Sequence, residues 1–223
     1  LPMRNNTPDA RILAVIFDLD GVLVSTDEYH YRSWQRLADE EGIPFDREFN
    51  DRFRGVSRME CLDMLLATTP RSYTEEEKRE LAARKNKYYR EMTEDLGPDD
   101  MLLGARDTVE GLQKRSIKVG IASGSKNARF ILQRIGLTED VGAVVSGRDI
   151  SNSKPHPEVF LDAARQLGVA PENCLVVEDA EAGIEAARRA GMRSLGIGET
   201  EFEDAKRTVS SLAEIGVEEI LSL

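Results

Sequence analysis

Residues 12–21 read ILAVIFDLDG, an uninterrupted apolar run followed by two aspartates and a glycine. Continuous apolar character rich in β-branched residues predicts a strand that is buried on both faces, as in a parallel sheet. Gly21 allows the chain to turn sharply where that strand ends. The stretch therefore predicts the first strand of an α/β domain, with Asp18 and Asp20 at its carboxyl end.

Similar apolar runs recur along the chain, at residues 117–122, 141–145, 174–177 and 192–197. Helical periodicity lies beside these runs, at residues 108–115, 126–135, 158–167 and 182–190. Strands and helices that alternate at this spacing are typical of α/β proteins with helices on both faces of the sheet. We therefore expect a doubly wound, Rossmann-like parallel sheet.

One segment interrupts this alternation, because residues 26–96 carry helical patterns and no convincing strand. Two of these patterns cover residues 59–66 and 75–92. An all-helical insertion directly after the first strand would form a second, smaller domain. We therefore predict a helical domain at 26–96 and an α/β core domain at 1–25 and 97–223.

The first helix of the insertion is predicted from signals at its two ends. Ser25 and Glu28 have the spacing of a capping box, in which two side chains satisfy backbone N–H groups at a helix start. Gly42 is a typical residue just beyond a helix end. Trp34 lies on the apolar stripe between these ends, so we expect it to pack inside the helical domain.

Composition narrows the classes of function. The 30 Lys and Arg against 41 Asp and Glu give a net charge of −11, which argues against a nucleic-acid partner. The sequence has no apolar run of about 18 residues, so no membrane span is expected. Cys61 and Cys174 have no Cys or His neighbours at metal-ligand spacing and are expected to be reduced, packed thiols. We therefore expect a cytoplasmic monomer that acts on a small molecule.

Polar residues follow the predicted strands at the point where each strand ends. In open α/β sheets these carboxyl ends share one edge, and ligands bind there. The residues expected at this edge are Asp18, Asp20, Ser123, Lys154, Glu178 and Asp179. An isolated Asp-x-Asp pattern is a weak signal, but the whole ordered set predicts a functional site.

The carboxylates of this set predict a metal ion. Four carboxylates packed together repel one another unless they are protonated or share a cation. Because the set offers oxygen ligands without His or Cys, the expected ion is Mg²⁺. Asp18 and Asp179 would bind it, with Glu178 as a further ligand or as a neighbour of the ligands. Asp20 would contribute through a backbone carbonyl in its vicinity.

The same set indicates phosphoryl transfer. A bound cation would screen an anionic carboxylate from an incoming anionic phosphate, which allows one to attack the other. Asp18 is the predicted nucleophile, and Asp20, two residues further along, would handle protons. Ser123 and Lys154 suit the phosphoryl oxygens, and a helix that starts near Ser125 would add backbone N–H donors.

With these motifs the sequence resembles the haloacid-dehalogenase superfamily. The four motifs of that superfamily match residues 18–22, Ser123, Lys154 and residues 178–179, and the resemblance spans about residues 12–198. Further matches, to the sugar-phosphate mutases of the superfamily, lie at 26–30 with Trp34, 55–58, 84–86 and 125–127. The resemblance implies a helical cap domain on a Rossmann-like core, Mg²⁺ as cofactor and a sugar phosphate as substrate.

The resemblance also implies a role for each residue. Asp18 would cycle through an aspartyl-phosphate, Asp20 would be the general acid/base, and Thr26 and His30 would lie at the hinge, where His30 helps to place Asp20. Substrate contacts would come from Gly55, Val56, Ser57, Arg58, Lys85, Ser125, Lys126 and Asn127.

Within that substrate set, Arg58 with Ser125 and Asn127 would bind the phosphate that is not transferred. Lys85 would reach the sugar. The implied reaction converts β-D-glucose 1-phosphate into glucose 6-phosphate through a bound 1,6-bisphosphate.

Several alternatives use the same scaffold. A sugar-phosphate phosphatase would share all four motifs, so that only Arg58 and the other helical-domain residues favour the mutase. A dehalogenase needs neither Asp20 nor a metal site. A phosphonate-cleaving enzyme would use an imine-forming lysine such as Lys85, and a silent sugar-phosphate sensor would show no turnover.

His156 departs from the family pattern and adds a titratable group close to Lys154.

Overall fold

The computed structural model describes residues 11–53 and 56–223. Gly55, one of the predicted substrate residues, lies outside the described residues, as do the first ten residues of the predicted core domain. The described chain divides into two compact units. The first comprises residues 11–23, Leu102–Arg129 and Thr138–Leu223, and the second comprises Val24–Met101 and Phe130–Leu137.

The first unit is built on one six-stranded sheet in which every pair of neighbouring strands is parallel. The strands are β1 (Ala14–Phe17), β2 (Lys118–Ala122), β3 (Ala143–Val145), β4 (Cys174–Glu178), β5 (Arg193–Ile197) and β6 (Arg207–Val209). Their order across the sheet is β3-β2-β1-β4-β5-β6. The doubly wound parallel sheet predicted from the sequence is therefore confirmed.

Strand β1 lies inside the sheet, between β2 and β4. Its Val15 is aligned with Val119 of β2 on one side and with Leu175 of β4 on the other. All four residues of β1 are buried, which explains why the strand is continuously apolar. The strand order reverses direction between β1 and β4, so the residue after β1 lies at a topological switch point, where α/β proteins bind ligands.

Helices cover this sheet. They are α5 (Ala105–Lys114), α7 (Glu158–Leu167), α8 (Glu181–Arg189) and α9 (Val217–Ser222), and α6 (Ala128–Arg134) spans the division between the two units. Helix α7 buries one face, including Val159 and Phe160, in the core cluster that β1 and β4 share. The helices predicted at 108–115, 126–135, 158–167 and 182–190 are all present, with ends shifted by at most three residues.

The second unit is helical and contains all described residues of the segment 26–96. Its main helices are α1 (Asp27–Glu41), α2 (Arg47–Asp51), α3 (Arg58–Leu66) and α4 (Glu75–Met92). They enclose a core of their own in which Trp34 packs edge-on against Phe53, as its apolar stripe predicts. Gly42 ends α1 in a left-handed conformation, also as predicted.

The capping box predicted at Ser25 and Glu28 is wrong. Helix α1 begins one residue later, with Thr26 at its N-cap position. The Glu28 carboxylate instead accepts hydrogen bonds from Arg32, one turn further along, and from Arg47 of α2. Capping boxes do open the next two long helices, at Ser57 with Glu60 for α3 and at Thr74 with Glu77 for α4. No helix among the described residues is long and apolar enough to cross a membrane.

Candidate active site

Asp18 is the first residue after β1 and is buried. Its backbone N–H donates to the carbonyl of Val177 in β4, 2.9 Å away, so the register of the sheet fixes its position. Its Oδ1 atom accepts a hydrogen bond of 2.5 Å from Nζ of Lys154. The predicted nucleophile therefore lies at the switch point and contacts the predicted ammonium group.

Lys154 links three groups at the carboxyl edge of the sheet. Besides Asp18, its Nζ atom donates to Oε2 of Glu178 at 2.7 Å and to the carbonyl oxygen of Ala122 at 3.2 Å. Burial alone would lower the pKa of Lys154, but the two carboxylates raise it above its usual value. The two carboxylates therefore favour the charged form of this ammonium group, which links the ends of β1, β2 and β4.

Three carboxylates, two of which bind this ammonium group, form a cluster. Asp18, Glu178 and Asp179 each offer an oxygen, and these oxygens all lie within 4.8 Å of one another. Burial raises the pKa of Asp18 to about 7, and Glu178 and Asp20 add to that effect while Lys154 opposes it. Burial, together with the charges of Asp18 and Glu178, raises the pKa of Asp179 to about 8. One ammonium thus leaves the cluster short of positive charge.

The donor set fits a magnesium ion. A divalent cation with oxygen ligands would offset the repulsion that raises the two pKa values, and carboxylates are the ligands Mg²⁺ takes. Two glycines keep the room for these carboxylates. A Cβ atom at Gly21, where φ is +83°, would lie 2.0 Å from Oδ2 of Asp179, and a Cβ at Gly183 would lie 2.0 Å from Oε2 of Glu178.

Sequence reasoning did not single out Gly183. The available signal was a glycine inside a helical pattern, which usually has a packing reason. Gly183 lies in α8, and its missing side chain leaves space for the carboxyl group of Glu178. Glu178 in turn accepts hydrogen bonds at Oε1 from the backbone N–H groups of Asp179 and Ala180, both at 3.2 Å.

Ser123 follows β2 and begins a loop shaped by its own hydroxyl groups. The Ser123 Oγ atom accepts from the N–H of Ser125, and the Ser125 Oγ atom accepts from the N–H of Asn127, both at 3.1 Å. Ser123 and Asn127 are buried, whereas Lys126 is exposed. Helix α6 begins at Ala128, two residues after the start of the predicted pattern at 126–135. The loop is thus held in shape by hydrogen bonds that involve the predicted phosphate-binding residues.

In the helical unit, His30 and Lys85 form a buried pair. Nζ of Lys85 lies 2.9 Å from Nδ1 of His30, and the His30 ring stacks on Tyr89 with ring centres 4.2 Å apart. Burial, with the charges of Lys85 and Arg58, holds the pKa of His30 well below its usual value. Burial, with the charge of Arg58, lowers the pKa of Lys85 to about 7. Burial thus favours the neutral form of a lysine that is only 2% exposed.

The predicted residues fall into two groups, one in each unit. Asp18, Lys154, Glu178 and Asp179 are in mutual contact or within the carboxylate cluster of the first unit. The half-exposed Asp20 acts on two of them through its charge. In the second unit, His30 and Lys85 are in contact, Thr26 is buried, Val56 is half-buried, and Ser57 caps the helix that Arg58 begins.

Comparison with known proteins identifies the class. The profile of the haloacid dehalogenase-like hydrolase family matches residues 12–191, and this chain belongs to that family. The chain is 44% identical to a β-phosphoglucomutase of Bacillus subtilis (strain 168) over 188 residues, 83% of each protein. It is 30% identical to a phosphorylated carbohydrates phosphatase of Thermotoga maritima over 185 residues, 82% of this chain and 83% of the relative.

A solved structure is similar over almost the whole chain. The crystal structure of β-phosphoglucomutase from Clostridium difficile superposes with a TM-score of 0.86 at 40% sequence identity. The match covers 93% of this chain and 94% of that protein. The predicted superfamily is confirmed, and the protein is an enzyme of the haloacid dehalogenase type.

Proposed function

We propose that this protein is a magnesium-dependent phosphomutase of the β-phosphoglucomutase type. It interconverts β-D-glucose 1-phosphate and glucose 6-phosphate through an aspartyl-phosphate at Asp18 and a β-glucose 1,6-bisphosphate intermediate. The observation that carries the proposal is the buried contact of Asp18 with Lys154 inside a cluster of carboxylates at the switch point of the sheet. The 44% identity to a β-phosphoglucomutase supports the choice of reaction.

Two half-reactions use the same groups. An oxygen of Asp18 attacks the phosphorus of the donor, the bond between phosphorus and the sugar oxygen breaks, and Asp20 gives that oxygen a proton. A hydroxyl of the second sugar then gives its proton to Asp20 and attacks the phosphorus, and Asp18 is released. Lys154 and Ser123 hold the phosphoryl oxygens throughout, as positively charged and hydrogen-bonding groups do in phosphoryl transfer.

Asp18, Glu178 and Asp179 are the side chains that would hold Mg²⁺, with a backbone carbonyl near Asp20. The ion would supply positive charge for the phosphoryl oxygens and lower the repulsion between Asp18 and the phosphate. That contribution agrees with the raised pKa values of Asp18 and Asp179, which mark a cluster that lacks positive charge.

The helical unit would select the sugar. Arg58, at the start of α3, suits bidentate binding of the phosphate that is not transferred, together with Gly55, Val56 and Ser57. Ser125 and Asn127 of the first unit would help to bind the same phosphate, and Lys126 would be a further substrate contact. Thr26 and His30 would form the hinge, and His30 would place Asp20.

Lys85 would complete this selection. It would contact the sugar hydroxyls, and its buried pairing with His30 would then be exchanged for a substrate contact.

A sugar-phosphate phosphatase is the second candidate. It is favoured by the 30% identity to a phosphorylated carbohydrates phosphatase. The groups of the first unit serve both reactions, because a water molecule in place of the second sugar would hydrolyse the aspartyl-phosphate. The two candidates therefore differ in what reaches phosphorus in the second half-reaction.

One assay separates the candidates. The purified protein is given Mg²⁺, β-glucose 1-phosphate and a trace of the 1,6-bisphosphate, and glucose 6-phosphate and inorganic phosphate are followed together. The mutase is expected to accumulate glucose 6-phosphate, to leave the α-anomer unchanged and to release little phosphate. Release of phosphate in amounts equal to the substrate consumed would identify a phosphatase and contradict the proposal.

A further inference from the structure

Lys154 belongs to no helix or strand. It lies in the segment between β3 and α7, which comprises residues 146–157 and contains neither. Nevertheless its Nζ atom meets Asp18, Glu178 and Ala122 at distances between 2.5 and 3.2 Å. A side chain held so closely needs a backbone that is fixed by something other than regular secondary structure.

Glu158, the first residue of α7, binds the backbone of that segment. Its Oε1 atom accepts a hydrogen bond of 2.8 Å from the N–H of Ser151. Its Oε2 atom accepts two more, both 2.8 Å long, from the N–H and from the side-chain Nδ2 of Asn152. These bonds, led by the one from Ser151, hold the pKa of Glu158 below its usual value, so the carboxylate is charged at neutral pH.

These three bonds close a short loop that contains Lys154. The loop runs from Ser151 to Glu158, and its last residue is anchored because Val159 and Phe160 are fully buried in the core. Phe160 also places its ring beneath the ammonium group, 4.8 Å from Nζ of Lys154. His156 lies inside the same loop, with its Nδ1 atom accepting from the N–H of Glu158 at 3.3 Å.

We propose that Glu158 is a positioning residue for Lys154. The inference rests on the proposed phosphoryl transfer at Asp18, in which Lys154 holds the oxygens of the phosphoryl group. The Glu158 carboxylate bonds to Ser151 and Asn152 and not to the carboxylate cluster; it fixes the loop from which Lys154 reaches that cluster. Loss of its carboxylate therefore loosens Lys154 while the rest of the site stays intact.

The test is the Glu158→Gln variant, which keeps the shape of the side chain. The amide nitrogen of glutamine cannot accept a hydrogen bond, so at least one N–H of the loop loses its partner. We expect kcat for p-nitrophenyl phosphate hydrolysis to fall about tenfold, a loss typical of residues that hold the groups of a site in position. KM should change less than about twofold. Asp162→Asn removes a carboxylate of similar exposure from the same helix and should leave kcat unchanged.

Two further measurements show whether the effect passes through Lys154. In a Lys154→Ala background, Glu158→Gln should cost less than about twofold, because residues that act through one another are not additive. Trifluoroberyllate, a mimic of the phosphoryl group on a carboxylate, should bind the magnesium-loaded Glu158→Gln variant about tenfold more weakly than the wild type. The Asp162→Asn variant should bind it as the wild type does.

Equal losses in both backgrounds, or unchanged trifluoroberyllate binding, would overturn the assignment, and so would an equal loss in Asp162→Asn. These readouts involve Asp18, Lys154 and the metal and are independent of the sugar. A protein that releases phosphate in place of glucose 6-phosphate would therefore contradict the proposed mutase without affecting the result for Glu158.

Discussion

At the scale of single residues, Gly183 is the position where the absence of a side chain matters most for the site. The carboxyl group that occupies its space belongs to Glu178, which is fixed by Lys154 on one side and by two backbone N–H groups on the other. Because both of its oxygens are hydrogen-bonded, the Glu178 carboxyl group cannot move without breaking one of these bonds. A methyl group at Gly183 would therefore displace the carboxyl group of Glu178 and disturb the carboxylate cluster.

The Gly183→Ala variant should accordingly lose stability and metal affinity together. We expect a loss of about 1–3 kcal/mol in the free energy of unfolding from overpacking, and weaker Mg²⁺ binding by about tenfold or more. Urea unfolding and calorimetric titration with Mg²⁺ would measure both. Gly111→Ala is the matched control, because Gly111 is also helical but its Cβ would meet side-chain atoms of Val217 and Arg115, which are not part of the carboxylate cluster. Unchanged Mg²⁺ affinity in Gly183→Ala would contradict this account.

At the scale of elements, the regular structure was predictable wherever burial imposes a simple pattern. Strand β1 and strand β4 are buried on both faces and are therefore continuously apolar, and α7 shows one apolar face against the core. Strand β6, with Arg207 exposed and only Val209 buried, carries no such pattern and was not predicted. The five-residue helix α2 was missed for the same reason, since it has no buried residue.

Helix α4 contains a buried lysine whose burial the local sequence could not reveal. Lys85 looks like one more lysine of a charged helix, yet it is buried against Trp34, Tyr89 and His30, which come together only in the folded unit. The side chain of Lys87, about half a turn further along the same helix, is 73% exposed. Lys85 and Lys87 therefore have opposite environments.

The buried Lys85 predicts a stability that rises with pH. Its pKa is about 7 in the folded protein and 10.5 when unfolded, so between these values the unfolded chain binds more protons and the free energy of unfolding rises with pH. Between about pH 7 and about pH 9.5 this contribution is on the order of a few kcal/mol, and it is constant below the folded pKa.

Urea unfolding followed by the fluorescence of Trp34, the single tryptophan, would measure this slope. The Lys85→Met variant should lose the rise, whereas Lys87→Met should keep it. The same rise in wild type and Lys85→Met would show that Lys85 is already charged in the folded protein.

At the scale of the whole molecule, the convergence of the site was predictable from topology alone. Parallel strands bring their carboxyl ends to one edge, so Asp18 and Glu178 were expected at the same edge once the sheet was recognised. The pairing of β1 with β4, which makes them neighbours, was not predicted. The contacts of Lys154 were not predictable in detail, because they depend on a loop whose shape is set by Glu158. The pairing of His30 with Lys85 likewise depends on how α1 packs against α4.

The carboxylate cluster predicts how the molecule responds to magnesium. Because the proposed magnesium site exists only in the folded protein, saturating Mg²⁺ should stabilise the protein by about 2.7 kcal/mol at one hundred times its dissociation constant, which is several degrees in melting temperature for a chain of this length. Calorimetry with Mg²⁺ and with a chelator would measure the difference.

The Asp179→Asn variant should be more stable than the wild type without Mg²⁺, and it should gain less stability than the wild type when Mg²⁺ is added. The folded protein raises the pKa of Asp179 to about 8, so its charged form is disfavoured on folding, and above that pH its removal should stabilise the metal-free protein. The same variant should lose most of the stabilisation by Mg²⁺, because it lacks a proposed ligand. Asp107→Asn, an exposed position in α5, should behave as the wild type in both conditions. A wild-type melting temperature that does not respond to Mg²⁺ would mean that Lys154 alone compensates the charge of the cluster.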